Sequence, residues 1–217
     1  MTYEEDYQKI RDLLLELHMK IIKQLSRDDM QTSARHLGVL HKKTLVFNNE
    51  AEISVLSDYQ VYSYRPHGMS MVKRYLKLKR NSLDPFTLEL LEAMSRARFS
   101  LYVTGEALKG KGVKVTDAFR QDSLFLADRN LSTSSKPESA YALRLIVFDD
   151  FAIQTGAGIP VDFNLFSHKD VEDGLNKCLP EPVDGEYHFT PEQESRLART
   201  IMAGCIRHGY TEHIRYL

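Results

Sequence analysis

A cluster of basic residues in the first half of the chain is the feature best suited to chemistry. Five cations fall within eight positions, and two more basic side chains lie just upstream. On a helix, such a cluster offers charge-assisted donors to an anion, either the phosphates of a nucleic acid or a small acidic ligand. A solvated basic face is the alternative, and it is the more common role of such a run. The residues that would bind the anion are Arg65, His67, Lys73, Arg74 and Lys77.

Two glycine-containing segments are similar to catalytic motifs, and each lacks a required residue. Ser70 follows Gly68 as in a nucleophile elbow, but the second glycine is missing and Pro66 replaces the preceding strand. A helix N-cap is therefore the favoured role of Ser70. Gly110 and Gly112 have lysine neighbours but not the lysine followed by serine or threonine that completes a phosphate-binding loop. A hairpin turn is favoured there.

The histidines do not show the spacing of a metal site. His36 and His41 are five positions apart, as are His208 and His213, which would place the two rings of each pair on different faces of a helix. We expect His41 to lie half-buried at the edge of the core. No metal and no cofactor are expected.

The remaining reactive side chains are expected to be structural. Cys178 and Cys205 stand alone in apolar surroundings, which is typical of packing residues rather than nucleophiles. Asp149 and Asp150 are adjacent between two strand-like segments. Such a pair is more typical of a hairpin turn than of a catalytic site with two carboxylates.

The composition is that of an ordinary globular protein. The 217 residues are 42% hydrophobic and 27% charged, and the net charge of -1 argues against a surface built as a whole to attract nucleic acid. Two cysteines are too few for a disulfide framework, and the first residues lack the pattern of a signal peptide. Because no apolar run approaches about 20 residues, we expect a soluble cytoplasmic protein without membrane contact.

Helical periodicity dominates the first 98 residues. An apolar stripe at alternating steps of four and three begins at Tyr3 and ends at Ile21, and Thr2 with Glu5 offers a capping box. We expect this stripe to pack within the chain, and a homodimer through it is the alternative. A second helical pattern continues from Met30 to His41. Further helices are predicted around 52–59, after Ser70, and after Asp84 and Pro85, the last one sandwiched between the other helices and a sheet.

Near Arg98 the hydrophobic periodicity changes from the helical spacing to an alternation of apolar and polar residues. Five short strands are predicted around 99–103, 113–115, 123–127, 141–147 and 151–153, which favours a small antiparallel barrel or roll. Gly156 and Gly158 are expected to end the sheet. A weak helix near 168–177 and a stronger one after Thr190 and Pro191 follow. The fold class is thus α+β, divided into a helical platform (1–98), a β-module (99–162) and a helical tail packed on both (163–217).

The chain resembles a loose family of uncharacterised bacterial proteins, some of which carry a C-terminal SEC-C zinc motif. The resemblance covers residues 50–162 and implies a helical segment joined to a compact β-unit, without an activity. The chain departs from the zinc-bearing members because its two cysteines are unpaired in sequence, whereas tetrahedral zinc needs four ligands. The matching residues are Asp58–Tyr59, Tyr64–Pro66, Gly68, Val72–Leu76, Leu90–Ala93, Arg98–Val103, Gly110–Gly112, Val115–Asp117 and Leu131–Ser132.

Two functional classes are open from the sequence. A non-catalytic binding or adaptor protein, whose partner is a protein or an anionic ligand, predicts a shallow surface with apolar patches. An enzyme acting on a nucleic-acid or phosphorylated substrate predicts a deep pocket between helices and β-module, holding titratable groups with shifted pKa values. Convergence of Asp58, Arg65 and the Gly110 turn would favour the enzyme.

Overall fold

The computed structural model describes residues 3–214, with side chains from Asp6 onward. The capping box expected of Thr2 and Glu5 lies outside the described side chains. Residues before the barrel form mainly helices, as the periodicity predicts. These helices are α1 (Tyr3–Ile22), α2 (Arg27–Leu37), α3 (Ala51–Asp58), α4 (Met71–Lys79) and α5 (Pro85–Ser95).

The apolar stripe of α1 is buried inside the chain. Ile10, Leu14, Leu17 and Ile21 are each at most 1% exposed and pack against residues of α4 and α5. The expectation of packing within the chain is therefore confirmed. Leu15 and Met19, on another side of the helix, are 59% and 58% exposed. A homodimer through the N-terminal helix stays a prediction.

Helix α2 is shorter than the sequence pattern suggested. Gly38 adopts a left-handed conformation, with φ of 80°, and ends the helix, because glycine takes this conformation without steric cost. The expected helical continuation to His41 is wrong. His41 instead belongs to a two-stranded hairpin of β1 (Leu40–His41) and β2 (Thr44–Leu45), and it is exposed rather than half-buried.

Helix α3 continues into one π-helical turn, Tyr59–Ser63, before the chain reaches Pro66. Helix α4 then begins after Ser70, as predicted. The expected side-chain cap is absent, however, because the Ser70 side chain makes no hydrogen bond to the helix N-terminus.

Helix α5 lies between the other helices and the sheet, which confirms the predicted sandwich. Asp84 accepts a hydrogen bond from the Thr87 backbone N–H at 3.1 Å, and Pro85 occupies the first turn. The buried residues Leu90, Leu91 and Met94 belong to one apolar cluster with helix α1 and with outward-facing barrel residues.

A closed five-stranded barrel follows α5, confirming the predicted β-module. The ring runs in the order β3, β4, β5, β7, β6 and returns to β3. The Asp149–Asp150 turn connects β6 to β7 as expected. The strands are β3 (Arg98–Leu108), β4 (Gly112–Asp117), β5 (Ser123–Leu126), β6 (Ala140–Val147) and β7 (Ala152–Gln154).

Two details of the sheet differ from the expectation. The barrel is antiparallel except where it closes, because β5 pairs with β7 in parallel through Leu126 and Ala152. A sixth strand, β8 (Ile159–Val161), adds to β6 beyond the glycines that were expected to end the sheet. A short helix, α6 (Arg129–Ser134), lies between β5 and β6.

Alternation along β6 separates the barrel interior from the helices. Leu143 and Leu145 belong to the interior cluster with Tyr102, whereas Ala142 and Ile146 join clusters shared with helices. Arg144 lies on the same outward side as Ala142 and Ile146. Its guanidinium is therefore buried between the barrel and the helices, and the residue is only 2% exposed.

The chain ends in helices α7 (Phe163–Ser167), α8 (Lys169–Cys178) and α9 (Pro191–Arg207), followed by a 3-10 turn, Tyr210–His213. Thr190 and Gln193 form a complete capping box on α9. Leu197, Ile201 and Met202 of α9 join a cluster with residues of α2, α3 and β8. Because each large cluster combines distant segments, the parts pack as one body; the division at 98 and 162 stays a prediction.

Candidate functional site

The main cavity of the described part has a volume of about 900 Å³ and lies between helices α1 and α3 and the barrel. Residues of β6, β7 and α6 form its barrel side, and the 3-10 turn after α9 reaches one edge. A volume of this size is typical of small-molecule sites. Its polar lining consists of Gln8, Arg11, His18, Ser54, Ser57, Asp58, Asp128, Arg129, Asn130, Ser134, Tyr141, Gln154, Thr155 and His213.

Three exposed apolar side chains line the cavity. Leu15 and Met19 of α1 and Ile53 of α3 all line it, with 59%, 58% and 49% of their surface exposed. Exposed large aliphatic groups that converge on one concavity differ from scattered surface leucines, because together they form a patch that a ligand can cover.

Asp58 is a buried residue of the cavity lining and is held by groups of the barrel. Its Oδ1 accepts a hydrogen bond from Arg144 Nε at 2.9 Å, and its Oδ2 accepts one from the Thr155 hydroxyl. Arg144 also donates to the Ser63 hydroxyl at 2.5 Å. The carboxylate and the guanidinium thus satisfy each other in a region where unpaired charges would be costly.

Asp128 and Gln154 form the barrel wall next to this pair. Asp128 caps α6 by accepting the Leu131 N–H at 2.8 Å, and it also accepts a bond from the Gln154 side-chain amide. The Gln154 backbone carbonyl accepts a bond from Arg11 at 2.8 Å, which ties α1 to β7. Gly158 lets the Gln154 side chain approach closely, because a Cβ at that position would lie 2.5 Å from Gln154 Oε1.

His18 is the buried histidine of the cavity wall. Its Nε2 and the Tyr62 hydroxyl oxygen are 2.7 Å apart, in hydrogen-bond contact. Burial lowers the pKa of His18 to about 4, since desolvation disfavours the imidazolium. The ring is therefore neutral near pH 7. Burial also raises the pKa of Tyr141 on the opposite wall.

Two titratable groups of the cavity lining are poorly suited to proton transfer near pH 7. General acid–base catalysis works best with a group whose pKa lies near the working pH. The pKa of His18 lies well below that range, and Asp58 already accepts bonds from Arg144 and Thr155. The cavity nevertheless lies between the helices and the barrel and is lined by titratable groups, as expected of an enzyme.

The basic residues predicted to bind an anion do not line this cavity. Arg65 and Lys73 line a second, smaller pocket, while His67 lies in an exposed turn with φ of 60°. Arg74 is half-buried, with its Nη1 3.7 Å from the Met71 sulfur, and Lys77 is exposed. The structure therefore brings two of the five together in a pocket.

The convergence that would favour an enzyme is not present. Asp58 lines the large cavity, Arg65 lines the smaller pocket, and the Gly110 turn lines neither. The Gly110 N–H instead donates to the Ser132 hydroxyl at 2.9 Å, as part of the predicted hairpin turn.

Sequence reasoning singled out Asp58 and missed the other polar residues that line the cavity. Arg11 and Gln154 are 143 positions apart, and no local pattern connects them. Two signals were available: His18 beside the buried stripe of α1, and Arg144 within an apolar strand. A polar residue inside an apolar pattern indicates a buried partner.

The other chemical candidates have structural positions. Cys178 and Cys205 are buried, which confirms their packing role, and burial raises the pKa of both thiols. His208 stacks on His168 rather than facing His213, with ring centroids 3.6 Å apart. Among residues 3–214, no group of three His, Cys, Asp or Glu side chains could hold a metal ion.

No helix in the described part is long and apolar enough to span a membrane. Comparison with curated proteins and with solved structures gives no significant match. One protein family matches residues 1–176, which extends well beyond the 50–162 covered by the resemblance seen in the sequence. Since this match spans most of the chain, the protein belongs to that family, a family of unknown function designated DUF7986.

Proposed function

We propose that the protein is a non-catalytic binding protein of the bacterial cytoplasm whose large cavity holds a small amphipathic molecule. The observation that carries this proposal is the cavity itself: about 900 Å³, lined by exposed aliphatic side chains together with polar and charged groups. Binding sites of this kind use apolar walls for affinity and a few fixed polar groups for orientation.

The hydrogen bonds of the polar lining residues support binding over catalysis. Asp58 and Asp128 are fixed by partners within the protein, and His18 is neutral near pH 7. Such groups form a preorganised polar surface, and preorganisation lowers the entropic cost of binding. The exposed aliphatic side chains of the lining supply the apolar part of an amphipathic site.

The proposal is tested by titration with 1-anilinonaphthalene-8-sulfonate, an amphipathic fluorescent probe. We expect saturable binding of one probe per chain at pH 7. Replacing both Leu15 and Met19 by Ser should weaken binding about tenfold, because burying their apolar atoms contributes about 0.8 kcal/mol per methylene. Both side chains are mostly exposed, so the fold should tolerate the change.

Leu78→Ser is the matched control, since Leu78 is 70% exposed and does not line the cavity. Its affinity for the probe should equal that of the unaltered protein. Absence of saturable binding, or an equal loss in Leu78→Ser, would contradict the proposal.

The second candidate function is an enzyme acting on a nucleic-acid or phosphorylated substrate. The observation in its favour is that one deep cavity contains His18, with its shifted pKa, together with Arg11 and Arg129. Hydrolysis of bis(p-nitrophenyl) phosphate or of a labelled oligonucleotide, abolished in His18→Gln, would establish it. If the hydrolysis rate does not exceed that of an inactive control protein, the enzyme hypothesis is contradicted.

The same proposal has four further parts. We propose that the protein is bacterial, that it lies in the cytoplasm, that it acts as an adaptor and that it is related to SEC-C proteins. Two buried cysteines without a disulfide fit a reducing compartment. The resemblance over residues 50–162 is the support for the bacterial assignment.

A further inference from the structure

A second pocket lies on another side of the helices, where α4 begins, α5 ends and α9 begins. Its volume is about 130 Å³, and residues of the π-helical turn form its floor. Three cations line it: Arg65, Lys73 and Arg96. We propose that this pocket binds a tetrahedral oxyanion of the phosphate class, independently of the ligand of the large cavity.

Arg65 carries a buried donor that the protein leaves unsatisfied. Its Nη2 donates to the Gly68 carbonyl at 2.8 Å, which orients the guanidinium. Its Nε is buried and makes no hydrogen bond within the described residues, although it forms an ion pair at 3.5 Å with the carboxylate of Glu192, which is 60% exposed. Buried donors in folded proteins normally have an acceptor, and an anion oxygen would supply one.

The start of helix α4 adds further donors to the same pocket. Ser70, Val72 and Lys73 line it, and the Ser70 side chain does not cap the helix. The first N–H groups of an α-helix have no acceptor within the helix. They therefore stay available to a ligand, and they add to the positive potential of the side chains.

The charge balance of the pocket favours an anion. Lys73 and Arg96 make no ion pair within the part of the chain that the structure describes. Glu194 is the acidic residue of the lining, and its carboxylate is already bound by Arg120 at 3.3 Å and by the Phe99 N–H at 3.1 Å. Arg144 lies 3.7 Å from the same carboxylate. Of the three lining cations, Arg65 is thus paired with the exposed Glu192 carboxylate, whereas Lys73 and Arg96 have no carboxylate partner among the described residues.

The size of the pocket restricts the ligand. About 130 Å³ admits one phosphate or sulfate group but not a nucleotide base with its sugar. The recognised chemistry is thus a single tetrahedral anion, either free or at the end of a larger molecule whose remainder stays in solvent.

The test is isothermal titration of the full chain with inorganic phosphate, and separately with phosphoserine, at constant ionic strength. We expect saturable 1:1 binding of phosphate, weakened at least about tenfold in Arg65→Gln and by a smaller factor in Lys73→Gln. Binding of phosphoserine with similar affinity would assign the pocket to phosphomonoesters, and its failure to bind would assign it to the free anion; both agree with the proposal.

Lys77→Gln is the matched control, because Lys77 lies on the same helix, is exposed and does not line the pocket. Phosphate binding should be unchanged in this variant. No saturable binding at millimolar phosphate would overturn the proposal. So would an equal loss in Lys77→Gln and Lys73→Gln, or preferential binding of a single-stranded oligonucleotide that depends on Lys77, since each indicates a diffuse basic face.

Discussion

Arg144 of the barrel and Asp58 of helix α3 form an ion pair between two side chains that are each 2% exposed, with 2.9 Å between Nε and Oδ1. The guanidinium also lies 5.0 Å from the Tyr62 ring centre and 5.3 Å from that of Phe99. This pair joins the wall of the large cavity to the interface between helices and barrel. Its geometry therefore affects both the fold and the site.

Removing one partner of this pair should be strongly destabilising. We expect Arg144→Met and Asp58→Asn each to lower the free energy of unfolding by about 3–5 kcal/mol, because a buried charge is left unpaired. The double variant should lose less than the sum of the two. Urea denaturation of the three variants measures this coupling.

The control is Arg80→Met, whose exposed pair with Glu92 at 2.7 Å should contribute under about 1 kcal/mol. Additive effects would show that the pair is not coupled.

The stability of the protein should fall between pH 6.5 and pH 4 because of His18. Its pKa is about 4 in the folded protein against 6.5 for the free side chain, so the unfolded chain binds a proton that the folded chain does not. The stabilisation is complete above pH 6.5 and is lost as the pH falls toward 4, by on the order of 3 kcal/mol.

Urea denaturation across this pH range, with and without His18→Gln, measures the His18 contribution. The substitution should make the free energy of unfolding less dependent on pH. A smaller pH dependence should remain because of His36, since burial also lowers the pKa of that residue. His41→Gln is the control, since His41 is exposed. An unchanged slope in His18→Gln would show that His18 titrates normally.

Gly112 should be irreplaceable in the barrel. A Cβ at this position would lie 2.2 Å from the Leu126 carbonyl oxygen, which belongs to the paired strand. We expect Gly112→Ala to destabilise by about 2 kcal/mol or more, lowering Tm by about 4–8 °C in thermal unfolding. Gly105→Ala in β3 is the matched control, because its nearest neighbour would be at an ordinary 3.5 Å. Equal Tm values for the two variants would contradict the described strand pairing.

Two buried tyrosines should respond differently to loss of the hydroxyl. The Tyr102 hydroxyl in the barrel interior has no hydrogen-bond partner within the described residues, whereas that of Tyr62 is 2.7 Å from His18. Tyr102→Phe should leave the stability unchanged or raise it by about 1 kcal/mol, and Tyr62→Phe should lower it by about 1–2 kcal/mol. A clear loss in Tyr102→Phe, measured by urea denaturation, would reveal a partner for its hydroxyl.

The fold was predictable wherever one local pattern dominated. The three-to-four rhythm of α1 and the two-residue rhythm after Arg98 follow from side-chain geometry alone, so the helices and the five-stranded barrel were found. Gly38 could have predicted the end of α2, because glycine commonly ends helices. The apolar residues that continue beyond it at helical spacing suggested a longer helix. Strand β8 could not be predicted, because its pairing to β6 depends on how the barrel closes.

The candidate site was not predictable from local patterns. Its polar lining includes Arg11, Asp58, Asp128 and Gln154, which come from separate parts of the chain. A single sequence does not show which distant residues meet. The basic cluster was visible because it is local, and only its Arg65 and Lys73 face the smaller pocket.

The most direct test of the central claim is to locate a ligand in the large cavity with a single fluorescent residue. The chain contains no tryptophan. Ile53→Trp would place one in the cavity lining, and Leu78→Trp would place one on an exposed surface outside it. Energy transfer from tryptophan to bound 1-anilinonaphthalene-8-sulfonate should saturate at one probe per chain in Ile53→Trp and be weak in Leu78→Trp. Equal transfer in both variants, or none in Ile53→Trp, would contradict the assignment of this cavity as a binding site.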